Sequence, residues 1–524
     1  MTDMEPRRRT LLAGASGVVA AVATLGSAEA VAAFVAPASS PLLAVGSLVI
    51  DLVPGWVKDL VIALFGTNDK LVLLIVLGVL VAALAVGIGI LEERRPVVGS
   101  IALALVGVVA VVAAITRADA GLDWAFPSVV GTAVGILVLR LLVTRLRTWD
   151  DATVADEARP VVGASRAELP RRSFIVLLGG TAVGALVVGV GARVASAGAV
   201  AVETIRKALK LPTAAVAAPP VPAGAELGID GLTPVVSAND SFYRIDTALQ
   251  VPNIDPSTWS LKITGMVEQE VEIGFEELLA LPLQESIITL TCVSNPVGGD
   301  LIGNALWLGY PIRELLARAK PKAGADMVLS RSIDGFTAGT PLEVLQDEDR
   351  DSLLAVGMNG QPLPLQHGFP VRMVVPGLYG YVSATKWVVE LEVTRYADAR
   401  AYWTDRGWSE RGPIKTESRI DVPRNGGRVA AGNVAIAGVA WAQHTGVNRV
   451  QVRIDDGDWL DTTLATAISD DTWVQWVLQW DAPAGDHTIA VRATDAAGKT
   501  QSETPVDVVP DGAEGWHTIS VGVD

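Results

Sequence analysis

Residues 287–300 read Ile-Ile-Thr-Leu-Thr-Cys-Val-Ser-Asn-Pro-Val-Gly-Gly-Asp and contain the only cysteine of the 524-residue chain. The β-branched run before Cys292 predicts a strand, and the glycine-rich run after it predicts a loop. A cysteine at this position suits a buried core residue, a nucleophile, or a soft metal ligand displayed at a strand end. Because there is one cysteine, an intramolecular disulfide and a multi-cysteine zinc or iron–sulfur site are excluded.

The composition predicts a membrane portion joined to an acidic polar portion. Hydrophobic residues make up 50% of the chain and charged residues only 19%, which is unusually apolar for a soluble protein of this length. Residues 1–212 carry a net charge of +3, whereas residues 213–524 carry −19. The acidic half argues against nucleic-acid binding and fits a solvated domain carried by an anchor.

Five apolar runs are each long enough to cross about 30 Å of hydrocarbon as a helix. They cover residues 10–36, 71–91, 97–116, 127–146 and 173–195. A further run over 41–66 contains Asp51, Pro54, Lys58 and Asp59. We expect it to form a broken or interfacial helix pair rather than a span.

The basic residues of this region predict its orientation. They collect around Arg7–Arg9, Glu92–Arg95 and Arg140–Arg172, which predicts that these three segments are cytoplasmic and that the chain after Val194 is extracytoplasmic. The pairs Arg8-Arg9 and Arg171-Arg172 also begin stretches that resemble twin-arginine export signals. The alternative is that both pairs are ordinary cytoplasmic anchors.

The composition and hydrophobic pattern change twice along residues 213–524. Residues 213–224 have the Ala/Pro/Val composition of a linker, and residues 225–420 mix short strands with helices. In residues 421–524, Asp455–Asp458 and Asp495–Gly498 follow alternating strands and predict hairpins. The predicted fold is therefore multi-domain: an α-helical transmembrane anchor over 1–212, a linker over 213–224, an α+β domain over 225–420 and an immunoglobulin-like β-sandwich over 421–524.

Residues 364–380 read Pro-Leu-Gln-His-Gly-Phe-Pro-Val-Arg-Met-Val-Val-Pro-Gly-Leu-Tyr-Gly, and Lys386-Trp387 follow. Together with the Cys292 strand and Phe242-Tyr243-Arg244, this ordered set resembles the sulfite oxidase family of molybdopterin-dependent oxidoreductases over about residues 230–524. The resemblance implies a molybdenum–molybdopterin cofactor, two-electron oxygen-atom transfer and a C-terminal domain of the dimerisation type.

The resemblance also implies roles for individual residues. Cys292 would ligate molybdenum, because a soft thiolate suits a metal whose other ligands come from the pterin dithiolene and oxo groups. The implied cofactor-binding residues are Asn239, Tyr243, Arg244, His367, Arg372, Ser383, Thr385 and Lys386, and the implied catalytic residues are Cys292, Arg244 and Trp408. Taken singly, Asn239 and His367 would suit turns, and Arg372 and Lys386 exposed strands; the ordered set favours the cofactor.

Departures from the family pattern concern the substrate. Sulfite oxidases carry an arginine five residues after the ligand cysteine, where this chain has Val297, and their catalytic tyrosine segment aligns with Trp408. Fewer cations predict weak sulfite or nitrate binding, although Arg244 and Arg406 remain candidate pocket cations. The alternatives are an S-oxide or N-oxide reductase with the same cofactor, and a non-catalytic membrane-anchored binding or scaffold protein.

The four histidines limit the electron-transfer chemistry. All lie beyond residue 366, so residues 1–212 cannot supply bis-histidine haem ligands. We expect neither haem nor NAD in this chain, a small oxyanion, S-oxide or N-oxide substrate, and a separate quinone or cytochrome as electron partner. A homodimer is left open, and His444, His487 and His517 are expected to be structural or surface residues.

Overall fold

The structure is a computed structural model that describes residues 6–36, 39–54, 57, 61, 64, 69–117, 120–158, 168–195, 198–248 and 250–524. The chain forms two units. The helical unit comprises Met1–Ala201 with Ala248–Gln250, and the β-rich unit comprises Val202–Thr247 with Val251–Asp524.

The helical unit consists of long helices because its sequence is a series of aliphatic runs without strand-like alternation. Its helices are α1 (Pro6–Val35), α2 (Pro41–Leu52), α3 (Asp69–Arg94), α4 (Val98–Ile115), α5 (Ala125–Ala158) and α6 (Glu168–Ala195), and α7 (Gly198–Ala208) follows. Among the described residues, the segments Pro6–Val35, Val72–Arg94, Val98–Ile115, Leu122–Ala152 and Pro170–Gly189 are long and apolar enough to cross a membrane. They correspond to the five runs expected from the sequence.

Helix α2 explains why the sixth apolar run differs from the others. It ends at Leu52, shortly before Pro54, and its twelve residues extend for about 18 Å, which is too short to cross the hydrocarbon layer. Proline has no amide hydrogen and restricts the residue before it, so the helix does not continue. Most of the run beyond Pro54 lies outside the described residues, so the second half of the expected pair stays a prediction.

Helices α1 and α3 approach closely because glycines face each other where they cross. A Cβ atom on Gly89 would overlap the carbonyl oxygen of Ala13 and the amide of Gly17, and a Cβ on Gly17 would overlap the carbonyl oxygen of Ala85. In a bilayer, such small residues allow the helix backbones to pack by van der Waals contact. The crossing therefore depends on the absence of side chains at these positions.

Charged groups join three of the basic segments at one end of the helical unit. Arg9 forms ion pairs with Glu93 and with Asp150, the latter at 2.6 Å. Arg147 donates hydrogen bonds to the backbone carbonyls of Glu92 and Glu93, both at 2.7 Å. This basic-end cluster brings the start of α1, the end of α3 and the later part of α5 together.

The β-rich unit begins with two sheets that include the strand before Cys292. One sheet has the order β2-β1-β10-β5-β6, and the other has the order β3-β4-β7-β8 with β9 paired to β7. The strands are β1 (Ser260–Gly265), β2 (Val271–Gly274), β3 (Gln284–Thr291), β4 (Ile302–Pro311), β5 (Met327–Ser332), β6 (Thr337–Pro341), β7 (Leu353–Met358), β8 (Gln361–Pro362), β9 (Arg372–Val374) and β10 (Val388–Thr394). Short helices connect them: α8 (Phe275–Ala280), α9 (Ile312–Ala319), α10 (Leu342–Gln346) and α11 (Gly380–Ser383).

The last hundred residues form two further sheets, with the orders β11-β13-β17-β16 and β12-β19-β18-β14-β15. Their strands are β11 (Glu417–Val422), β12 (Gly427–Val429), β13 (Gly432–Trp441), β14 (Val447–Ile454), β15 (Trp459–Asp461), β16 (Thr463–Leu464), β17 (Val474–Ala482), β18 (Gly485–Asp495) and β19 (His517–Val523). Ile436 and Trp476 of one sheet share a buried core with Val452, Ile489 and Val521 of the other. Two sheets around one core agree with the expected β architecture, while its immunoglobulin-like character stays a prediction.

We expect Gly89→Ala to destabilise the helical unit, because its added methyl group would overlap the α1 backbone. Overpacking of this kind costs about 1–3 kcal/mol. Gly87→Ala is the matched control, since nothing lies within 4 Å of a Cβ at Gly87 on the same helix. Thermal unfolding of the detergent-solubilised protein should show a lower Tm for Gly89→Ala alone; equal Tm values for the two variants would contradict this packing.

Candidate functional site

A cleft in the β-rich unit contains the thiol and several of the expected polar residues. It encloses about 840 Å³ of empty space that opens to solvent. Its walls come from separate segments of the chain, within residues 242–247, 292–294, 332–336, 367–372, 380–387 and 403–408. The fold therefore brings together motifs that are more than 150 residues apart in the sequence.

Cys292 lies where β3 ends and the glycine-rich loop begins. Its amide donates to the carbonyl of Leu301 at 2.9 Å, and the Asn295 side-chain oxygen accepts from the Leu301 amide, also at 2.9 Å. These bonds close the loop and hold the thiol at the cleft wall. Burial raises the pKa of Cys292, and hydrogen bonds from Ser294 oppose that rise, so a cation or metal would be needed to favour the thiolate.

The C-terminal sheets support this loop from outside the cleft. Arg419 donates to the carbonyl of Gly299 at 2.7 Å, and Gln443 donates to the Thr291 hydroxyl at 2.8 Å. Gly298 has a φ of +75°, and a Cβ there would overlap the His517 ring. His517 itself accepts from the Ile420 amide, so it has a structural contact, as expected from the sequence.

His367 faces the cleft as a neutral imidazole. Its Nε2 donates to the carbonyl of Asn239 at 3.1 Å, which identifies Nε2 as the protonated nitrogen because a carbonyl can only accept. Burial, reinforced by the positive charges of Arg372 and Lys386, lowers the His367 pKa to about 3. The ring is therefore uncharged near neutral pH, with Nδ1 as an acceptor.

Arg372 is a buried cation without a carboxylate partner in the part of the chain that the structure describes. Its guanidinium donates to the carbonyls of Met373, His367 and Ala384 at 3.2–3.4 Å and lies 5.1 Å from the Trp307 ring centroid. Burial lowers the Arg372 pKa to about 10, so the group stays charged at neutral pH. A buried charge of this kind is costly unless an anion neutralises it.

Lys386 adds a second cation, largely shielded from solvent, that is held by an aspartate. Its Nζ is 2.8 Å from Asp246 and donates to the carbonyl of Gln366 at 3.2 Å. Burial lowers the Lys386 pKa to about 8, although the Asp246 charge opposes the fall. Asp246 also pairs with Arg244 at 2.8 Å, so one carboxylate serves two cations.

Asp246 was not among the residues expected from the sequence. Asp246 could have been proposed from its position two residues after Arg244, because an acidic residue near several cations often fixes their side chains by ion pairs. Its own surroundings depend on Lys386, which is 140 residues away. Sequence spacing cannot reveal a pair of that kind.

Tyr243 and the aromatic residues form the less polar wall of the cleft. Burial raises the pKa of the Tyr243 phenol, and the nearby Cys292 thiolate would raise it further. Trp408 lies 5.8 Å from Tyr381 and 6.1 Å from Trp403 between ring centroids. Tyr381 and Trp403 were not expected from the sequence, whereas Trp408 was.

Three expected residues direct their side chains elsewhere. The Asn239 amide donates to the carbonyl of Met358 and its oxygen accepts from Asn359. Ser383 donates to the carbonyl of Tyr379 at 2.9 Å, and the Thr385 hydroxyl is 2.7 Å from the Ser330 hydroxyl. These side chains fix the surrounding backbone, and none of the three is among the residues that line the cleft.

Other sequence candidates also lie outside the lining. Arg406 donates to the carbonyl of Tyr402 at 2.7 Å and packs 3.6 Å from the centre of its ring. Arg244 contacts the cleft through Asp246, and Val297 belongs to the loop beyond Cys292. Among the described lining residues, the cationic side chains are therefore Arg372 and Lys386, with His367 neutral.

The donor set fits a metal whose ligands come mostly from a cofactor. In the described parts of the chain, no group of three or more His, Cys, Asp or Glu residues is placed to hold a metal ion. Cys292 offers one sulfur, and Arg372 offers a buried charge that lacks an anion. A pterin that carries a dithiolene and a phosphate would fit both groups. Its metal would bind the sulfur, and its phosphate would neutralise the guanidinium.

Comparison with known proteins gives matches over the same region. The family model described as oxidoreductase molybdopterin binding domain matches residues 248–403. Mitochondrial sulfite oxidase of Macaca fascicularis is 31% identical over 345 residues, and the human protein is 30% identical over 341 residues. Both matches cover 55% of this chain, which thus spans 62% of the length of each of those relatives.

Two further matches are shorter or less similar in sequence. The uncharacterized oxidoreductase YuiH of Bacillus subtilis (strain 168) is 33% identical over 158 residues, which are 30% of this chain and 76% of that protein. The structure of the sulfane dehydrogenase SoxCD from Paracoccus pantotrophus matches with a TM-score of 0.47 and 22% identity, over 55% of this chain and 81% of that chain.

We expect inorganic phosphate to stabilise cofactor-free protein through Arg372. Binding to the folded state alone raises stability by mass action, which should increase Tm by about 2–5 °C at saturation. Arg372→Gln should remove this increase, whereas Arg313→Gln, which alters an arginine outside the cleft, should retain it. Equal increases in both variants, measured against sodium chloride of matched ionic strength, would contradict the assignment of an anion site to Arg372.

Proposed function

This chain belongs to the sulfite oxidase family of molybdopterin-dependent oxidoreductases, and on that premise we propose that it is a membrane-anchored enzyme of two-electron oxygen-atom transfer. The observation that carries the proposal is the meeting of Cys292, His367, Arg372 and Lys386 in one cleft. When bound, molybdopterin would supply a molybdenum that changes by two electrons and exchanges an oxygen atom.

Different residues of the cleft would hold different parts of this cofactor. Cys292 would be the protein ligand to the metal, because its sulfur lies at the wall and the loop bonds fix its position. Arg372 would neutralise the pterin phosphate, and Lys386 would add a point charge. His367, neutral and protonated on Nε2, would present Nδ1 as an acceptor to a pterin N–H group.

A second set of residues would position the first. Asp246 holds Lys386 and Arg244, both at 2.8 Å, and so limits the positive charge of the cleft. Tyr243 keeps its phenolic proton and would be a hydrogen-bond donor towards the cofactor. Asn239, Ser383 and Thr385 would act through the backbone that their side chains fix, rather than by direct side-chain contact.

We place the catalytic domain outside the cytoplasm. The basic-end cluster joins the segments near Arg9, Glu93 and Arg147, which supports a common side for the three basic segments. The positive-inside rule makes that side cytoplasmic, and five spans then leave the chain after the last span on the other side. Both arginine pairs would then be cytoplasmic, and Arg8 also packs on Trp149 at the basic end.

The remaining assignments follow from the same family membership. Residues 225–420 would form the cofactor-binding domain, and residues 421–524 an immunoglobulin-like domain of the dimerisation type, after the linker at 213–224. Electrons would pass to or from a separate quinone or cytochrome. Whether two chains pair through the C-terminal domain is an outcome that light scattering on the purified protein would determine.

We predict that purified protein contains about one molybdenum per chain and that Cys292→Ser loses most of it. Removing the protein's metal ligand should reduce redox turnover by more than about 100-fold. Metal analysis and turnover with artificial electron carriers measure both effects, and the exposed Ser257→Ala is the control. Metal-free wild-type protein with the same Tm as Cys292→Ser would instead support a non-catalytic binding protein.

A reductase of organic S-oxides or N-oxides is the second candidate, and the cleft walls favour it. Beyond the cofactor-facing cations, the lining turns to Phe336, Tyr381, Trp403 and Trp408. Aromatic faces suit an uncharged organic group better than an inorganic oxyanion, which needs several cations. The position that carries an arginine in sulfite oxidases is Val297 here.

Steady-state kinetics should separate sulfite oxidation from the reduction of S-oxides or N-oxides. We expect kcat/KM to be higher for an alkyl aryl sulfoxide with a reduced viologen donor than for sulfite with an artificial acceptor. Trp408→Ala should lower kcat/KM for the sulfoxide by about tenfold through lost aromatic contact, whereas Trp459→Ala in the C-terminal sheet should not. Sulfite turnover that exceeds sulfoxide turnover and is unchanged by Trp408→Ala would identify a sulfite oxidase activity.

A further inference from the structure

The helical unit contains a cavity that the proposed enzymatic activity does not use. It contains about 920 Å³ of empty space that opens to the surface of the unit, and it is lined by residues of α1, α2, α3, α4 and α5. Part of the lining consists of small residues of α1 and α4, among them Gly17, Ala20, Gly107 and Ala110. Leu84 and Val106 are among the branched side chains that line the rest.

Hydroxyl groups interrupt this apolar lining. Ser128 and Thr132 lie four residues apart on α5, which places them on the same helix face. Ser128 is 2% exposed, and its Oγ has no hydrogen-bond partner in the described structure. Thr24 also lines the cavity, but its hydroxyl already donates to the carbonyl of Ala20 at 2.8 Å. Ser128 is thus a buried donor without an acceptor, which native structures seldom leave unmatched.

The charge of the lining restricts what would occupy the cavity. No Asp, Glu, Lys, Arg or His is among the described residues that line it, so a ligand would have to be uncharged where it meets these walls. A phospholipid head group is excluded on that ground, while an isoprenoid chain fits the aliphatic part. The small residues leave room for a ring, and a carbonyl on that ring would accept a hydrogen bond from Ser128.

We propose that this cavity binds an isoprenoid quinone, with a quinone carbonyl oxygen accepting a hydrogen bond from Ser128. Ser128 and Asp150 lie on the same helix about 33 Å apart, so the head group would sit towards the end of the unit remote from the basic-end cluster. The choice of a redox-active ring rests on the proposed function, which needs an electron partner. The fit of a neutral carbonyl-bearing isoprenoid does not depend on it.

Direct binding tests the proposal with the full-length protein in nanodiscs. Menaquinone-4 should bind saturably, and Ser128→Ala should weaken binding about tenfold because one buried hydrogen bond is lost. Ser16→Ala is the matched control and should change the affinity less than twofold, since this buried hydroxyl donates to the carbonyl of Leu12 in its own helix and does not line the cavity. Equal affinities of Ser128→Ala and wild type would overturn the proposal.

A second pair of variants tests the cavity rather than the hydroxyl. Ala110→Trp, which fills the space, should abolish saturable binding, and Val108→Trp should not, because Val108 is 57% exposed and does not line the cavity. Absence of saturable binding to wild type, or equal affinity for a branched alkane without carbonyls, would contradict the proposal.

The same samples keep this inference separate from the proposed function. Molybdenum content and viologen-linked turnover should be unchanged in Ser128→Ala. If wild type lacks molybdenum but still binds menaquinone-4 saturably through Ser128, the enzymatic proposal fails and the binding site stands. If turnover is present but menaquinone-4 does not bind, the quinone site is refuted and the enzymatic proposal stands.

Discussion

The buried positive charge of Arg372 is the constraint around which the cleft is built. Its guanidinium has carbonyl partners and an indole face but no carboxylate in the described structure, so its desolvation is compensated only in part. The neighbouring groups are consistent with a site kept for an anion: His367 is neutral, and Lys386 has Asp246. The phosphate of a pterin cofactor would complete this arrangement.

The position of the Cys292 thiol depends on a different part of the chain. The loop after Cys292 is closed by its own hydrogen bonds, but Arg419 and His517 of the C-terminal sheets contact it from outside, and Gln443 in the turn after β13 holds the end of β3. These contacts give the C-terminal sheets a role in shaping the cleft, in addition to the dimerisation role that the family membership implies. Changes in that domain would therefore alter the cleft without touching it.

Sequence patterns predict the parts of this structure that depend on local chemistry. The five apolar runs, the strand that ends at Cys292 and the turns after β14 and β18 follow from periodicity and turn residues. The motif also predicted that His367 and Lys386 share a site with Cys292, and all three line one cleft. Asp246 could not be predicted, because its importance comes from a pair with Lys386 across 140 residues. Likewise, motif position could not show that Thr385 turns towards Ser330.

The central claim is that Cys292 binds molybdenum in a site completed by the pterin. X-ray absorption spectroscopy at the molybdenum edge measures the sulfur ligands of the metal directly. We predict three sulfur neighbours in wild-type protein, two from the pterin dithiolene and one from Cys292, and two in any molybdenum retained by Cys292→Ser. The same sulfur coordination in both proteins would contradict the account.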